Sequence, residues 1–511
     1  MLTAFVLAAL LPVLLSYTAF ASYRTTLQAK DKQHRQAVLR ALSVPESEWA
    51  GKKFIGFFHP YCNAGGGGER VLWTAIARIQ AQRKNIINVV YTGDTDASKE
   101  EIIAKVEARF DITLDPASLH FVFCDSRKYV EDAAWPRFTL LGQSLGSMYL
   151  AWEAMTKLVP DLYIDTMGYA FTFHVVRRLG GCPVGAYVHY PTISTDMLAR
   201  VRERKQGHTN SDAISGSAVL STGKLWYYRL TMYYYALSLR SASFLMANST
   251  WTKAHVDAIL SHSDPLLSLL HTVVPPLALL QACLAQPPKE RVTKAQIAYP
   301  PCDTREMERY ALEGRERVVL SVAQFRPEKD HAAQLRAFAE LLEKHAEYRP
   351  GQPSAVKLVL LGGSRNAGDS ARVEGLRELA KSLGIDDSVS FVLNAPYPTM
   401  LAHLARASVG LSTMVDEHFG INVVEMMAAG AIPVAHASAG PLLDIVVPFE
   451  GKSTGFHATT PSTFADALHA ALTLPPAEDL ALRQRARQLA VSKFSEDAFW
   501  ASWEKGWAGF A

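Results

Sequence analysis

The stretch Phe54-Ile55-Gly56-Phe57-Phe58-His59-Pro60-Tyr61-Cys62-Asn63-Ala64-Gly65-Gly66-Gly67-Gly68-Glu69-Arg70 passes from an unbroken apolar run into a glycine-rich loop and then into a helical pattern over 70–82. A short continuous apolar run bounded by turn residues fits a strand buried on both faces. Four glycines let backbone N–H groups come close to a ligand, and the N-terminus of the next helix favours an anion. The loop is not a dinucleotide fingerprint, because with Gly65 and Gly67 in place the third glycine falls on Arg70. It is not a P-loop either, since no Gly-Lys-Ser/Thr follows. Gly451-Lys452-Ser453 has that ending, but Val446 stands where its first glycine belongs. A tight turn with no ligand would use the same glycines.

Outward from this loop the pattern repeats. Short apolar runs at 86–91, 120–124, 162–164 and 184–188 are separated by helical stretches. A second series starts near 317, with strands at 318–323, 357–362, 389–393, 409–412 and 432–435, and helices at 332–345, 372–383, 400–407 and 423–429. Strands alternating with helices predict an α/β chain with two doubly wound parallel sheets. The expected domains are 51–300 and 315–493, followed by a closing amphipathic helix at 494–511 that carries Trp500, Trp503 and Trp507. Two stretches break the rhythm. The aromatic stretch 225–239 suits either a membrane interface or a buried helix. The apolar stretch 264–285, broken at Pro275-Pro276, suits either a membrane-dipping hairpin or an insertion.

The chain has 511 residues, 49% hydrophobic and 20% charged, enough for large cores and too apolar for wholesale disorder. Lys and Arg number 52 against 49 Asp and Glu, so charge gives no reason to expect a nucleic-acid partner. Five widely spaced cysteines without a Cys-x-x-Cys pair argue against a disulfide framework and a structural zinc site and fit a reducing compartment. Residues 2–23 carry no charge, whereas Arg24, Lys30, Lys32, Arg35 and Arg40 follow against the single acid Asp31. About 20 apolar residues span a bilayer, and the positive flank stays cytosolic. The expectation is a membrane anchor at 1–23 and a polar, helical connector at 24–50. Ala19-Phe20-Ala21 also has the form of a signal-peptidase site, but no basic segment precedes the apolar run. In a cytosolic domain the sequon at Asn248 would stay unused.

Candidate chemistry lies in the loops after strands, where open α/β sheets bind ligands. Arg326 and Lys329, after the first strand of the second series, suit a diphosphate: Arg326 has a planar fork and Lys329 a point charge. Asp416-Glu417-His418-Phe419-Gly420-Ile421-Asn422-Val423-Val424-Glu425 places two carboxylates beside a helix N-terminus, suited to sugar hydroxyls and phosphate oxygens. Ser438-Ala439-Gly440-Pro441 begins another helix. His189 ends a strand of the first domain and can serve a sugar hydroxyl or a purely structural role. Asp94-Thr95-Asp96 has a manganese-binding form but sits in a polar turn. Gly142-Gln143-Ser144-Leu145-Gly146 matches a nucleophile elbow, which requires 138–141 to be a strand.

Glu417, Glu425, Arg326 and Lys329 together resemble retaining glycosyltransferases of the GT-B fold, in which two Rossmann-like domains face an interdomain cleft. The strings GFFHPYCNAGGGGERVLW, FTLLGQSLGS, YIDTMGYAFT, YVHYPTISTDML, NSTWT, YPPCDT, QFRPEKDH and EHFGINVVEMMAAG are similar to one branch. Its members are the alpha-1,2-mannosyltransferases that extend a trimannosyl glycan on dolichol diphosphate.

The resemblance implies that GDP-mannose is the donor and that no metal or other cofactor is used. The implied partners are the dolichol-linked oligosaccharide, the endoplasmic reticulum membrane and other mannosyltransferases of the same pathway, with catalysis on the cytosolic face. It assigns Arg326 and Lys329 to the diphosphate, Glu425 to the ribose and Glu417 to the mannose. Phe419, Gly420 and Ile421 line the donor through their backbone. His189 lies near the mannose and the acceptor hydroxyl, and Gly65, Gly66, Gly67 and Gly68 close over the phosphates and the acceptor. Leu442 departs from the pattern, standing where the family usually has lysine, and the 261–293 insertion is longer than expected. Other donors or acceptors, and a silent scaffold role, are the competing readings.

Overall fold

The computed structural model describes residues 2–193, 218–284 and 292–510, with side chains described for 18–193, 222–278, 281 and 292–510. Residues 194–198 of the YVHYPTISTDML string, 285–291 of the insertion and the side chain of Cys283 lie outside the described residues. The chain forms two compact units. The first comprises Met1–Ala247, Lys253–Gln296 and Lys505–Ala511, and the second Asn248–Thr252 and Ile297–Glu504.

The N-terminal expectation is corrected. One helix runs unbroken over Leu2–Ala41, continuing through most of the helical connector. The side chains of its first apolar turns lie outside the described residues. Among the described residues no helix is long and apolar enough to cross a membrane. The transmembrane helix at 1–23 is therefore not upheld, nor is the location inferred from it, a single N-terminal span of the endoplasmic reticulum membrane with cytosolic domains. The described part of the helix packs on protein instead. Leu27, Val38 and Leu39 are buried, and Arg35 donates to Asp31, to both carboxylate oxygens of Asp161 and to the Val159 carbonyl.

In the first unit the strands are β1 (Lys53–Phe58), β2 (Ile86–Thr92), β3 (Leu119–Phe123), β4 (Leu162–Asp165), β5 (Val184–Val188), β6 (Phe244–Ala247) and β7 (Gln296–Ile297). Their order is β3-β2-β1-β4-β5-β6-β7, and the registered pairs among β1 to β6 are parallel. The chain winds outward from β1 to β3 and then returns to place β4 beside β1. Loops leaving β1 and β4 therefore diverge at a switch point, the usual ligand position in such sheets. Helices cover both faces, so β1, β2 and β5 are almost wholly buried and read as unbroken apolar runs.

The nucleophile-elbow alternative does not survive. Residues 139–157 are a helix, Thr139–Lys157, and the Ser144 hydroxyl donates to the Leu140 carbonyl at 2.5 Å. Gly142 and Gly146 pack that helix closely: a Cβ at Gly146 would lie 2.0 Å from the Tyr129 carbonyl oxygen. Asp94 is a turn residue, accepting from the Asn63 N–H and paired with Arg127. The 225–239 stretch lies in the helix Ala218–Arg240, which buries Tyr228, Met232, Tyr235 and Leu239 in the core. The described part of the insertion is two short helices, Pro265–Val273 and Pro275–Leu284. The first is tied back by a two-pronged Arg229–Asp264 pair, both contacts 2.8 Å, and by Tyr234 and His271 at 2.7 Å.

The second unit repeats the design. Its strands are β8 (Glu316–Val322), β9 (Lys357–Gly362), β10 (Val389–Leu393), β11 (Ala407–Ser412), β12 (Ile432–His436) and β13 (Phe456–Ala458). Their order is β10-β9-β8-β11-β12-β13, with every registered pair parallel. The switch point lies between β8 and β11. Helix Pro476–Phe494 is followed after Ser495 by a separate helix, Glu496–Trp507, whose residues from Lys505 on belong to the first unit and whose Trp500, Trp503 and Trp507 are buried.

Candidate active site

In the second unit three loops meet at the carboxyl ends of β8, β11 and β12. The β8 loop carries Arg326 and Lys329 and ends at Asp330, whose carboxylate caps helix His331–Lys344 by accepting from the Ala333 N–H. The β11 loop carries Glu417. Lys329 Nζ lies 2.5 Å from Glu417 Oε2 and 3.1 Å from Met414 Sδ. The backbone is locked around this pair. Thr413 Oγ1 donates toward the carbonyls of Lys329 and Asp330 at 3.2 and 3.0 Å. The Gly440 N–H, from the β12 loop, donates to the Glu417 carbonyl at 2.9 Å. Ser438 Oγ accepts from the Asp416 N–H at 2.8 Å. Arg326 is exposed at the rim of the same loop.

Helix Ile421–Ala429 starts immediately after the β11 loop. Gly420 takes φ +113°, a left-handed conformation that favours glycine, and so turns the chain into the helix. Glu425 is buried within that helix, and Asn422 Nδ2 donates to the Val322 carbonyl at 3.1 Å, tying helix to β8. The Phe419 side chain is core, stacked on Tyr299 and edge-on to Phe494, so only its backbone is available to a ligand. Leu442 is 40% exposed and supplies no charge. His331 stacks on Phe325, and burial, reinforced by Lys329 and Arg372, pulls its imidazole down to about 4. It is neutral at physiological pH.

The NSTWT segment belongs to this unit. Asp444 accepts from the Thr250 N–H, the Thr250 hydroxyl and the Tyr299 hydroxyl at 2.9, 2.5 and 2.7 Å. Trp251 thereby lies flat on His418, ring centroids 5.3 Å apart, next to Glu417. Reading the sequence assigned no role to Trp251, Asp444 or Tyr299. The only signals available were the NSTWT and YPPCDT strings themselves.

In the first unit the glycine loop follows β1. His59 is fully buried, with Nδ1 2.8 Å from Thr166 Oγ1 and Nε2 3.2 Å from Glu69 Oε1. The other oxygen of Glu69 accepts from the Gly66 N–H. Gly66 is the N-cap of helix Gly67–Gln82 and has no side chain to return a bond to the helix, so the reciprocal half of a capping box is missing. His189, half-buried after β5, faces this turn: a Cβ at Gly68 would lie 3.4 Å from its Nε2. Gly65, Gly66, Gly67, Gly68 and His189 are thus gathered at the strand ends of one unit, and Arg326, Lys329, Glu417 and Gly420 at those of the other.

Among the described residues one group has metal-ligand character, His345, Glu347 and His469. It lies beyond the far end of helix His331–Lys344 from Lys329. The two imidazoles stack at 3.6 Å, a ring nitrogen of His469 is engaged by the Tyr348 hydroxyl, and Glu347 is exposed. The four described cysteines are free and buried.

Residues 52–260 match the family described as ALG11 mannosyltransferase N-terminus, and residues 303–489 the family described as glycosyl transferases group 1. The GDP-Man:Man(3)GlcNAc(2)-PP-Dol alpha-1,2-mannosyltransferase of Xenopus laevis is 47% identical over 456 residues, covering 88% of this chain and 86% of that protein. The Homo sapiens protein of the same name is 43% identical over 87% of this chain and 84% of its own length. The Caenorhabditis elegans protein is 38% identical over 91% and 94%. Among solved structures, the N-terminal domain of Candida albicans trehalose-6-phosphate phosphatase aligns with TM-score 0.62 at 11% identity, over 90% of this chain and 97% of that one. Sucrose-phosphate synthase from Thermosynechococcus elongatus aligns at 0.54 and 16%, over 89% and 98%. These structures speak to the fold alone. The sequence relatives go further, and the chain belongs to the family of GDP-Man:Man(3)GlcNAc(2)-PP-Dol alpha-1,2-mannosyltransferases.

Proposed function

We propose that this chain transfers mannose from GDP-mannose, in alpha-1,2 linkage and with retention of configuration, to Man3GlcNAc2 on dolichol diphosphate, adding the fourth and fifth mannoses. The observation that carries the reading is the Lys329–Glu417 pair, 2.5 Å apart at the switch point of the second sheet, in a chain with this family membership.

In this proposal Lys329 and Arg326 hold the donor diphosphate and stabilise the charge that develops as it leaves. Glu417 contacts the mannose. The backbone of Phe419, Gly420 and Ile421 faces donor oxygens, and Glu425 takes the ribose hydroxyls. The C1–O bond to the diphosphate breaks while the acceptor hydroxyl forms the new C1–O bond on the same face. The departing phosphate oxygen takes the hydroxyl proton, so no strong protein base is required. Catalysis then comes from orientation and preorganised positive charge. His189 and the 65–68 loop orient the acceptor side. The reading uses no metal. Association with other mannosyltransferases of the dolichol pathway is part of the proposal and rests on the resemblance alone.

The test is a transfer assay with the full chain, GDP-mannose and a trimannosyl lipid-linked acceptor. Two added residues, removable by an alpha-1,2-mannosidase and absent with Glu417→Ala, are expected. Removing a charged group from the reacting centre lowers turnover by about 10²–10³-fold in comparable sites. No extension by folded protein would overturn the acceptor assignment.

A further inference from the structure

We infer that Glu69 is a positioning residue of the transfer reaction, acting through the glycine loop that it anchors together with His59. The inference rests on the proposed function for its activity readout, while its structural readout stands independently. Glu69 is 7% exposed, and its two oxygens bond in different directions. One meets His59 Nε2 at 3.2 Å, and the other accepts from the Gly66 N–H. His59, 0% exposed, continues through Nδ1 to Thr166 Oγ1 at 2.8 Å, immediately after β4. Thr166 in turn lies 3.2 Å from the Phe58 carbonyl, at the end of β1. A polar chain therefore runs from the two central strands of the switch point to the Gly66 N–H of the glycine loop.

Nothing else among the described contacts holds the loop so firmly from within. Gly65 sits at φ +78°, Gly66 has no capping side chain, and the Gly65 carbonyl meets only the exposed Arg109, at 3.5 Å. Four glycines in succession have wide conformational freedom, so ordering them needs an external tether. A buried carboxylate is a costly tether unless it is well paired. Burial alone would push the Glu69 carboxyl up, but the His59 hydrogen bond and charge, the Gly66 N–H and the nearby His189 bring it below its ordinary value. The anion is thus held by the loop it organises, and His189 stands against Gly68 in the same turn. Removing the carboxylate frees the N–H groups of 65–68 from the position in which they meet a ligand.

The experiment compares Glu69→Ala and Glu69→Gln with wild type in the full chain. Glutamine keeps an acceptor for the Gly66 N–H and an amide for His59, whereas alanine keeps neither. Hydrogen bonds to charged groups of this kind correspond to about a ten- to hundredfold effect. Glu69→Ala is expected to lower kcat by that factor, with GDP affinity followed in parallel by titration calorimetry. Glu69→Gln is expected to recover most of kcat. Amide hydrogen exchange over 65–68 is expected to accelerate in the alanine variant and to stay near wild type in the glutamine variant. Unchanged exchange in folded Glu69→Ala overturns the proposal, as does a uniform loss of GDP affinity, kcat and melting temperature in both variants. A wild-type chain that transfers no mannose defeats the proposed function instead, and the exchange comparison still decides whether Glu69 anchors the loop.

Discussion

Replacing Asp444 by alanine removes the acceptor that holds the NSTWT segment within the second unit. Asp444 is 1% exposed, and its carboxylate accepts three hydrogen bonds, at 2.9 and 2.5 Å from Thr250 and 2.7 Å from Tyr299. Each bond to a charged acceptor contributes roughly 1.5–3 kcal/mol, but bonds sharing one carboxylate do not add. Alanine leaves three donors facing a void. A loss of about 3–5 kcal/mol is expected, as when one partner of a buried charged cluster is deleted. For a domain of about 200 residues this lowers the melting temperature by roughly 6–20 °C. Asp444→Asn keeps the shape and one acceptor oxygen, so its loss should be about half as large. Trp251 rests on His418 beside Glu417, so turnover should also fall in the alanine variant. Scanning calorimetry of both variants, alongside the transfer assay, gives the answer. A melting temperature for Asp444→Ala within 2 °C of wild type, roughly 1 kcal/mol or less, would refute the reasoning.

Two further outcomes follow from single positions. A Cβ at Gly440 would lie 2.2 Å from the Phe419 carbonyl oxygen and 2.7 Å from its Cα, both backbone atoms unable to step aside alone. Gly440→Ala should displace the Glu417 loop and lower kcat by about a hundredfold, since a shift near 1 Å at a reacting site has that effect; wild-type kcat would show that the loops move independently. Asp165 is fully buried, and burial raises its carboxyl to about 7 against the pull of backbone N–H groups from 167 to 169. A raised folded-state value means that the native state holds the proton longer, so this group's contribution to stability falls as pH rises from about 4 to 7. Asp165→Asn should remove that slope, and denaturant titrations across the window would contradict the assignment if the wild-type and variant slopes coincide.

What the sequence makes legible follows from burial. Strands covered on both faces appear as unbroken apolar runs, and for β5, β9 and β10 the expected residues 184–188, 357–362 and 389–393 are the strands themselves. β6 escaped notice because Phe244-Leu245-Met246-Ala247 lies between two apolar helices and has no β-branched residue to separate it from them. β13 is three residues long and contains His457. At the N-terminus an apolar run suggested a span, but hydropathy says nothing of where a helix stops or what it packs on. Arg35 bridging to Asp161 is a contact across 126 positions that no local pattern encodes.

The same distinction runs through the candidate site. Lys329 and Glu417 lie 88 residues apart, yet both were within reach because each follows a strand of one sheet and switch-point topology converts that position into proximity. Glu69, Asp444 and Trp251 were out of reach for the opposite reason. Their side chains act on partners chosen by tertiary packing, and a lone acid or tryptophan on a helix or in a loop has many packing roles. The residues that hold a site in place are therefore the ones a structure adds. Here Glu69 holds the Gly66 N–H of its own loop, and Trp251, in the segment that Asp444 fixes, lies flat on His418 next to Glu417. A pliable glycine turn fixed by a buried carboxylate gives the backbone close approach without losing its position. In the proposed reaction, where orientation and preorganised charge take the place of a strong base, each such loop has to hold its position.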